Sequence, residues 1–160
     1  MNTIARIKLT TLFLLTVVML SPGLHGCSTN PATGEQSFTA FMSLEQESRV
    51  GRQQDPQLKR AFGGVYDDAE LAAYVTRIGK KLAATSEMPN LDFTFTVLNS
   101  PVVNAFALPG GYVYVTRGLV TLAENEAELA TVIAHEIGHI TARHSAERYS
   151  RGTAINLGAI

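Results

Sequence analysis

His135-Glu136-Ile137-Gly138-His139 sets two histidines four residues apart, with a glutamate directly after the first. No other feature constrains the fold as much, because this spacing brings both imidazoles together only on an α-helix. With His135 at the origin, His139 lies about 40° and Glu136 about 100° round the helix. Ile133, Ile137 and Ile140 fall at about 140–200°, and with Leu129 they make an apolar stripe. Such a helix must press its isoleucines into a core and turn its histidines outward. Two imidazoles one turn apart can both reach a single ion at about 2.0–2.1 Å. Glu136 sits where it can take a proton from water without ligating the ion. The motif therefore reads as a zinc site for one Zn2+ per chain, with His135 and His139 as metal ligands and Glu136 as the catalytic base.

The rest of this helix follows from local signals. Asn125 is the expected N-cap, with Glu128 three residues on. Glu126 and Glu128 suit the positive end of the helix dipole. The helix is expected to run to about Ser150, with Gly152 interrupting it and a new apolar segment from Thr153. On a straight helix His144 falls about 180° from His135. It therefore reads as a packing or hydrogen-bonding residue and not as a ligand. Gly138 inside the helix costs about 1 kcal/mol relative to alanine, and close approach of a strand or a substrate is the reason expected for it.

Upstream, Ser43 with Gln46 is a capping-box signature for a helix expected to break at Asp55-Pro56 and end by Gly63-Gly64. Asp67 is the expected cap of a second helix, with Glu70 at its third position and Leu71, Tyr74, Val75, Ile78 and Leu82 along one face. Pro89-Asn90 ends that pattern. Phe93, Phe95 and Val97 then alternate as in a strand. Val102 to Leu108 and Tyr112 to Thr116 are two further expected strands, joined at Pro109-Gly110-Gly111. The expected fold class is α+β, with a small antiparallel sheet packed on the His-Glu helix and the N-terminal helices.

The chain begins with a basic stretch holding Arg6 and Lys8, then a charge-free apolar run from Leu9 to Leu20, then Ser21-Pro22-Gly23. The apolar run is short of the roughly 20 residues that span a bilayer, so 1–26 reads as an export signal peptide. Leu24-His25-Gly26-Cys27 resembles a bacterial lipobox, which makes Cys27, the single cysteine, the expected lipidation site. Ser28 after it fits sorting to the outer membrane, and the expected location is the periplasm, lipid-anchored. Residues 27–42 are polar and turn-rich and read as a tether, with the domain over 43–160. The net charge of -1, with no long run of one sign, argues against a nucleic-acid partner.

Asn104-Ala105-Phe106-Ala107-Leu108-Pro109-Gly110-Gly111, then Gly118-Leu119, then Glu126-Ala127-Glu128-Leu129-Ala130 leading into Ala134 and the His135–His139 motif, resemble the M48 family of zinc metallopeptidases, of the HtpX and Oma1 type. The resemblance runs from about Ser43 to Arg151. It implies a gluzincin-like fold, with zinc held by both histidines and by a glutamate on a later helix. It further implies that Asn104, Ala105 and Phe106 lie on an edge strand that binds substrate through its backbone. The implied activity is endopeptidase cleavage of misfolded or misassembled cell-envelope proteins. The family's third ligand lies farther beyond the second histidine than this chain reaches, so an incomplete C-terminal part is expected. A second reading, from another class, is a non-catalytic chaperone-like module that holds extended chains on the same strand. Bound zinc together with casein hydrolysis separates the two.

Overall fold

The computed structural model describes residues 27–30, 32, 34, 36–39 and 41–156. The leader expected at 1–26 lies outside these residues. In chain order the elements are β1 (Cys27–Thr29), β2 (Gln36–Phe38), α1 (Leu44–Ala61), α2 (Ala69–Ala83), β3 (Thr94–Leu98), β4 (Ala105–Leu108), β5 (Tyr112–Thr116), α3 (Arg117–Leu122), α4 (Glu126–Thr141) and α5 (His144–Asn156). The α+β class holds. Among the described residues no helix is long and apolar enough to cross a membrane.

The sheet is mixed, which corrects the all-antiparallel expectation. Its strand order is β3-β5-β4, with β4 antiparallel and β3 parallel to β5. Two chain reversals leave β3 and β5 running the same way, so the pair becomes parallel once β5, and not β4, neighbours β3. Burial explains the choice. Val113, Tyr114, Val115 and Thr116 are all at most 1% exposed, as a central strand covered on both faces must be. All four residues of β4 are only partly buried. That strand is shorter than read, because Val102 and Val103 are exposed and unpaired in the ladder. The β4–β5 turn needs left-handed backbone at Gly110 (φ 84) and Gly111 (φ 100), which only glycine adopts without strain.

Alternation along β5 divides the two faces. Val113 and Val115 point into a core shared with Val75 and Ile78 of α2 and with Leu129, Ile133, Ile137 and Ile140 of α4. The stripe read from the sequence on each of these helices is thus the buried one. Tyr114 points to the other face, where its hydroxyl donates to Asp55 of α1 at 2.6 Å. Phe62, Phe106 and Tyr114 pack in a row there, with centroids 4.8 and 5.2 Å apart, the first pair tilted and the second stacked.

Several boundaries depart from the sequence reading. The Ser43 capping box forms, but α1 continues through Pro56. Asp55 is tied both to Tyr114 and to Lys59, at 2.9 Å, and these bonds offset a proline that ordinarily costs about 3 kcal/mol in a helix interior. The cap of α2 is Asp68 rather than Asp67, its carboxylate accepting from the Leu71 amide. The helix bearing the histidines stops at Thr141, not Ser150, and α5 passes through Gly152 without interruption. The segment expected as a tether carries paired structure. Cys27, Ser28 and Thr29 pair with Phe38, Ser37 and Gln36. This hairpin is fastened to the C-terminal helices by Asn30 Nδ2 donating to the Ala142 carbonyl at 2.8 Å.

Candidate metal centre

Asn125 caps α4 as expected, its side chain accepting from the Glu128 amide at 3.0 Å. With the isoleucines buried, the opposite face of α4 carries His135 and His139, both exposed, with Glu136 only 8% exposed beside them. One ligand atom from each of the three lies within 4.8 Å of the others. The imidazole centroids are 4.5 Å apart, with the ring planes at 77°. Two nitrogen donors and one carboxylate at this spacing suit a single zinc and the water beside it. Burial pushes the His139 imidazole below its ordinary pKa. His135, His144 and Arg148 add to that, and Glu136 opposes it. The neutral ring this favours is the form that ligates a metal.

His139 opens on a cleft of about 200 Å³, whereas His135 is not among the residues that line it. Its floor holds Glu136, His139 and Ile140, and one wall is the run from Phe106 to Pro109. Among the described residues β4 pairs with β5 alone, so no strand is hydrogen-bonded to its other edge. Of the three residues expected to bind substrate, Phe106 lines the cleft, while Asn104 and Ala105 do not. Asn104 precedes the strand, its carbonyl accepting from the Thr116 amide at 3.0 Å. Ala105 packs against the core.

The opposite wall was not legible in the sequence. It consists of Glu47, Arg143, His144, Ser145 and Arg148. Arg143 sits in left-handed backbone at φ 54 and turns the chain sharply between α4 and α5. Its guanidinium donates to Glu47 at 2.8 Å and to the Met42 carbonyl at 2.7 Å. Burial raises the Glu47 carboxyl above its usual range despite the opposing pull of Arg143. The turn carries His144 back over the histidine face, Nδ1 to Nδ1 with His139 at 2.8 Å. The straight-helix placement of His144 opposite the metal face is thus overturned, while its reading as a hydrogen-bonding residue holds. Gly138 is not crowded by a strand, since a Cβ there would meet no atom within 4 Å. Glu147 is paired with Arg151 at 2.7 Å, away from the ion site.

A helix with this His-Glu-His geometry beside an open sheet edge is the constellation of the zincin class of metalloproteins. The profile of peptidase family M48 matches residues 69–159, and the chain belongs to that family. It is 36% identical over 110 residues to a beta-barrel assembly-enhancing protease of Yersinia pestis, covering 69% of this chain and 22% of that protein. It is 35% identical over 119 residues to the mitochondrial metalloendopeptidase OMA1 of Schizosaccharomyces pombe, covering 72% and 35%. The Arabidopsis thaliana OMA1 is 43% identical over 83 residues, covering 52% and 17%. The chain therefore spans about a sixth to a third of the length of these relatives.

Proposed function

We propose that this chain acts as a zinc-dependent endopeptidase on unfolded or misassembled cell-envelope proteins. The observation that carries this is the convergence of two exposed imidazoles and a buried carboxylate on one helix, with His139 and Glu136 on the floor of a cleft walled by β4, which among the described residues is paired on one side only. Zinc bound by His135 and His139 would polarise the scissile carbonyl and lower the pKa of a water toward about 7. Glu136 takes the proton from the attacking water and passes it to the leaving amine, acting first as base and then as acid. A gluzincin arrangement, with a glutamate from a later helix as third ligand, belongs to the same reading.

Substrate enters as an added strand beside β4. The Phe106 ring is engaged with Phe62 and Tyr114, and the Asn104 carbonyl is taken by Thr116. Docking therefore falls to the backbone from Ala105 to Leu108, with Phe106 as its packed support. An extended, unfolded segment is the form of chain that can pair there. The relatives named as beta-barrel assembly-enhancing proteases support an envelope substrate. The leader and Cys27 support export to the periplasm with a lipid anchor, sorted to the outer membrane.

Metal analysis and casein hydrolysis on the full-length protein test this reading. The expected result is bound zinc and hydrolysis in the parent, with Glu136→Gln keeping the metal and losing the hydrolysis. A zinc-loaded parent that binds casein without cutting it would instead support the binding-module reading and overturn the enzymatic one.

A further inference from the structure

We infer that His144 is a positioning residue for His139, accepting the Nδ1–H of that ring so that its Nε2 lone pair is held toward the metal. The inference rests on the zinc reading of His135 and His139. It begins with the 2.8 Å separation of the two Nδ1 atoms. Two ring nitrogens at that distance share one proton. When His139 is the donor, its Nε2 is bare, which is the tautomer that ligates through Nε2. The rings meet at 60° with centroids 5.0 Å apart, so the contact is an edge-on hydrogen bond and not a stack. Metal-ligating histidines generally donate their second N–H to a fixed acceptor, which sets tautomer and ring orientation. Here the acceptor is another histidine, five residues on and in a different helix.

The acceptor is itself held in place. His144 opens α5 directly after Arg143, whose left-handed backbone makes the turn. The Arg143 guanidinium is bonded to Glu47 and to the Met42 carbonyl, while Asn30 takes the Ala142 carbonyl at 2.8 Å. The turn is thus fastened from α1 and from the N-terminal hairpin. His139 is exposed, and apart from the edge-on His135 ring at 4.5 Å its rotation needs a hydrogen-bonding restraint. His144 supplies that restraint.

Zinc affinity, measured by competition with a fluorescent chelator, tests the inference in the full-length protein, with His144→Asn, His144→Phe and His135→Ala compared to the parent. Asn places Oδ1 where the His144 Nδ1 stands and keeps the acceptor, whereas Phe keeps the ring and loses it. His144→Phe should weaken zinc binding about 10–100-fold, and His144→Asn should restore affinity close to the parent. The Co2+ absorption bands should agree between parent and Asn variant and shift in the Phe variant. A metal-free thermal melt of each variant checks folding, and His144→Leu replaces the Phe variant if that does not fold. Parent-like affinity without the acceptor overturns the inference. So does an Asn variant no better than Phe, which would mark His144 as a ligand. Uptake of zinc that His135→Ala leaves unchanged would instead overturn the zinc reading itself.

Discussion

On the proposed reading, Glu136 handles protons while its two histidine neighbours hold the metal, and its position on the helix suits that division. It lies about 100° from His135, far enough round the helix to be 8% exposed while both imidazoles are open to solvent. Glu136→Gln keeps shape and hydrogen bonding but cannot accept a proton. It should lower peptide hydrolysis by at least about 100-fold, in line with the weight of general acid–base catalysis, and leave zinc content unchanged by metal analysis. His135→Ala should lose both. Gly138 offers a different test. A Cβ at that position would meet open space, and alanine is favoured over glycine in a helix by about 0.5–1 kcal/mol. Gly138→Ala should therefore raise the midpoint of urea unfolding. A fall in turnover in the same variant would show that the space is used by substrate, while a fall in stability would contradict the open geometry.

Among the elements, the turn between α4 and α5 depends most on distant partners. A non-glycine residue at φ 54 is uncommon, and here it is held by a buried ion pair. The side chains of Arg143 and Glu47 are 14% and 4% exposed and meet at 2.6 Å. Removing one member of such a pair leaves the other buried and uncompensated, at a cost of about 3–5 kcal/mol. Glu47→Ala should show that loss in chemical denaturation, and it should also weaken zinc binding if the turn places His144. A loss of stability below about 1 kcal/mol, the range of an exposed ion pair, would show that the pair does not hold the turn. The hydrogen bond between Asp55 and Tyr114 plays the matching part on the other face, fastening α1 to the central strand across its internal proline.

For the whole molecule, metal and fold should be linked. A zinc ion that binds the folded chain and not the unfolded one stabilises it by about 2.7 kcal/mol at a free concentration 100 times Kd. Adding zinc should raise the thermal midpoint, and a strong chelator should return it to the metal-free value. An unchanged midpoint at saturating zinc would contradict a folded-state site. Anchoring is tested separately, since metabolic palmitate labelling should mark the wild type and not Cys27→Ser.

The parts legible in the sequence are those set by neighbours within a turn or two along the chain. Periodicity identified the buried stripe of α4 and, with it, the face bearing His135 and His139, because side-chain direction on a helix follows from spacing alone. The caps at Ser43 and Asn125 were equally local. Strand pairing was not, since the order β3-β5-β4 depends on which strand is covered on both faces. The break after Thr141 was not legible either. Arg143 is held by Glu47, 96 residues earlier in the chain, and no short-range pattern records a contact of that separation. The sequence alone determined which face of α4 carries His135 and His139. Tertiary structure decided what stands around it, because a left-handed arginine and the His144 it carries are stable only where folding has already brought a buried carboxylate alongside.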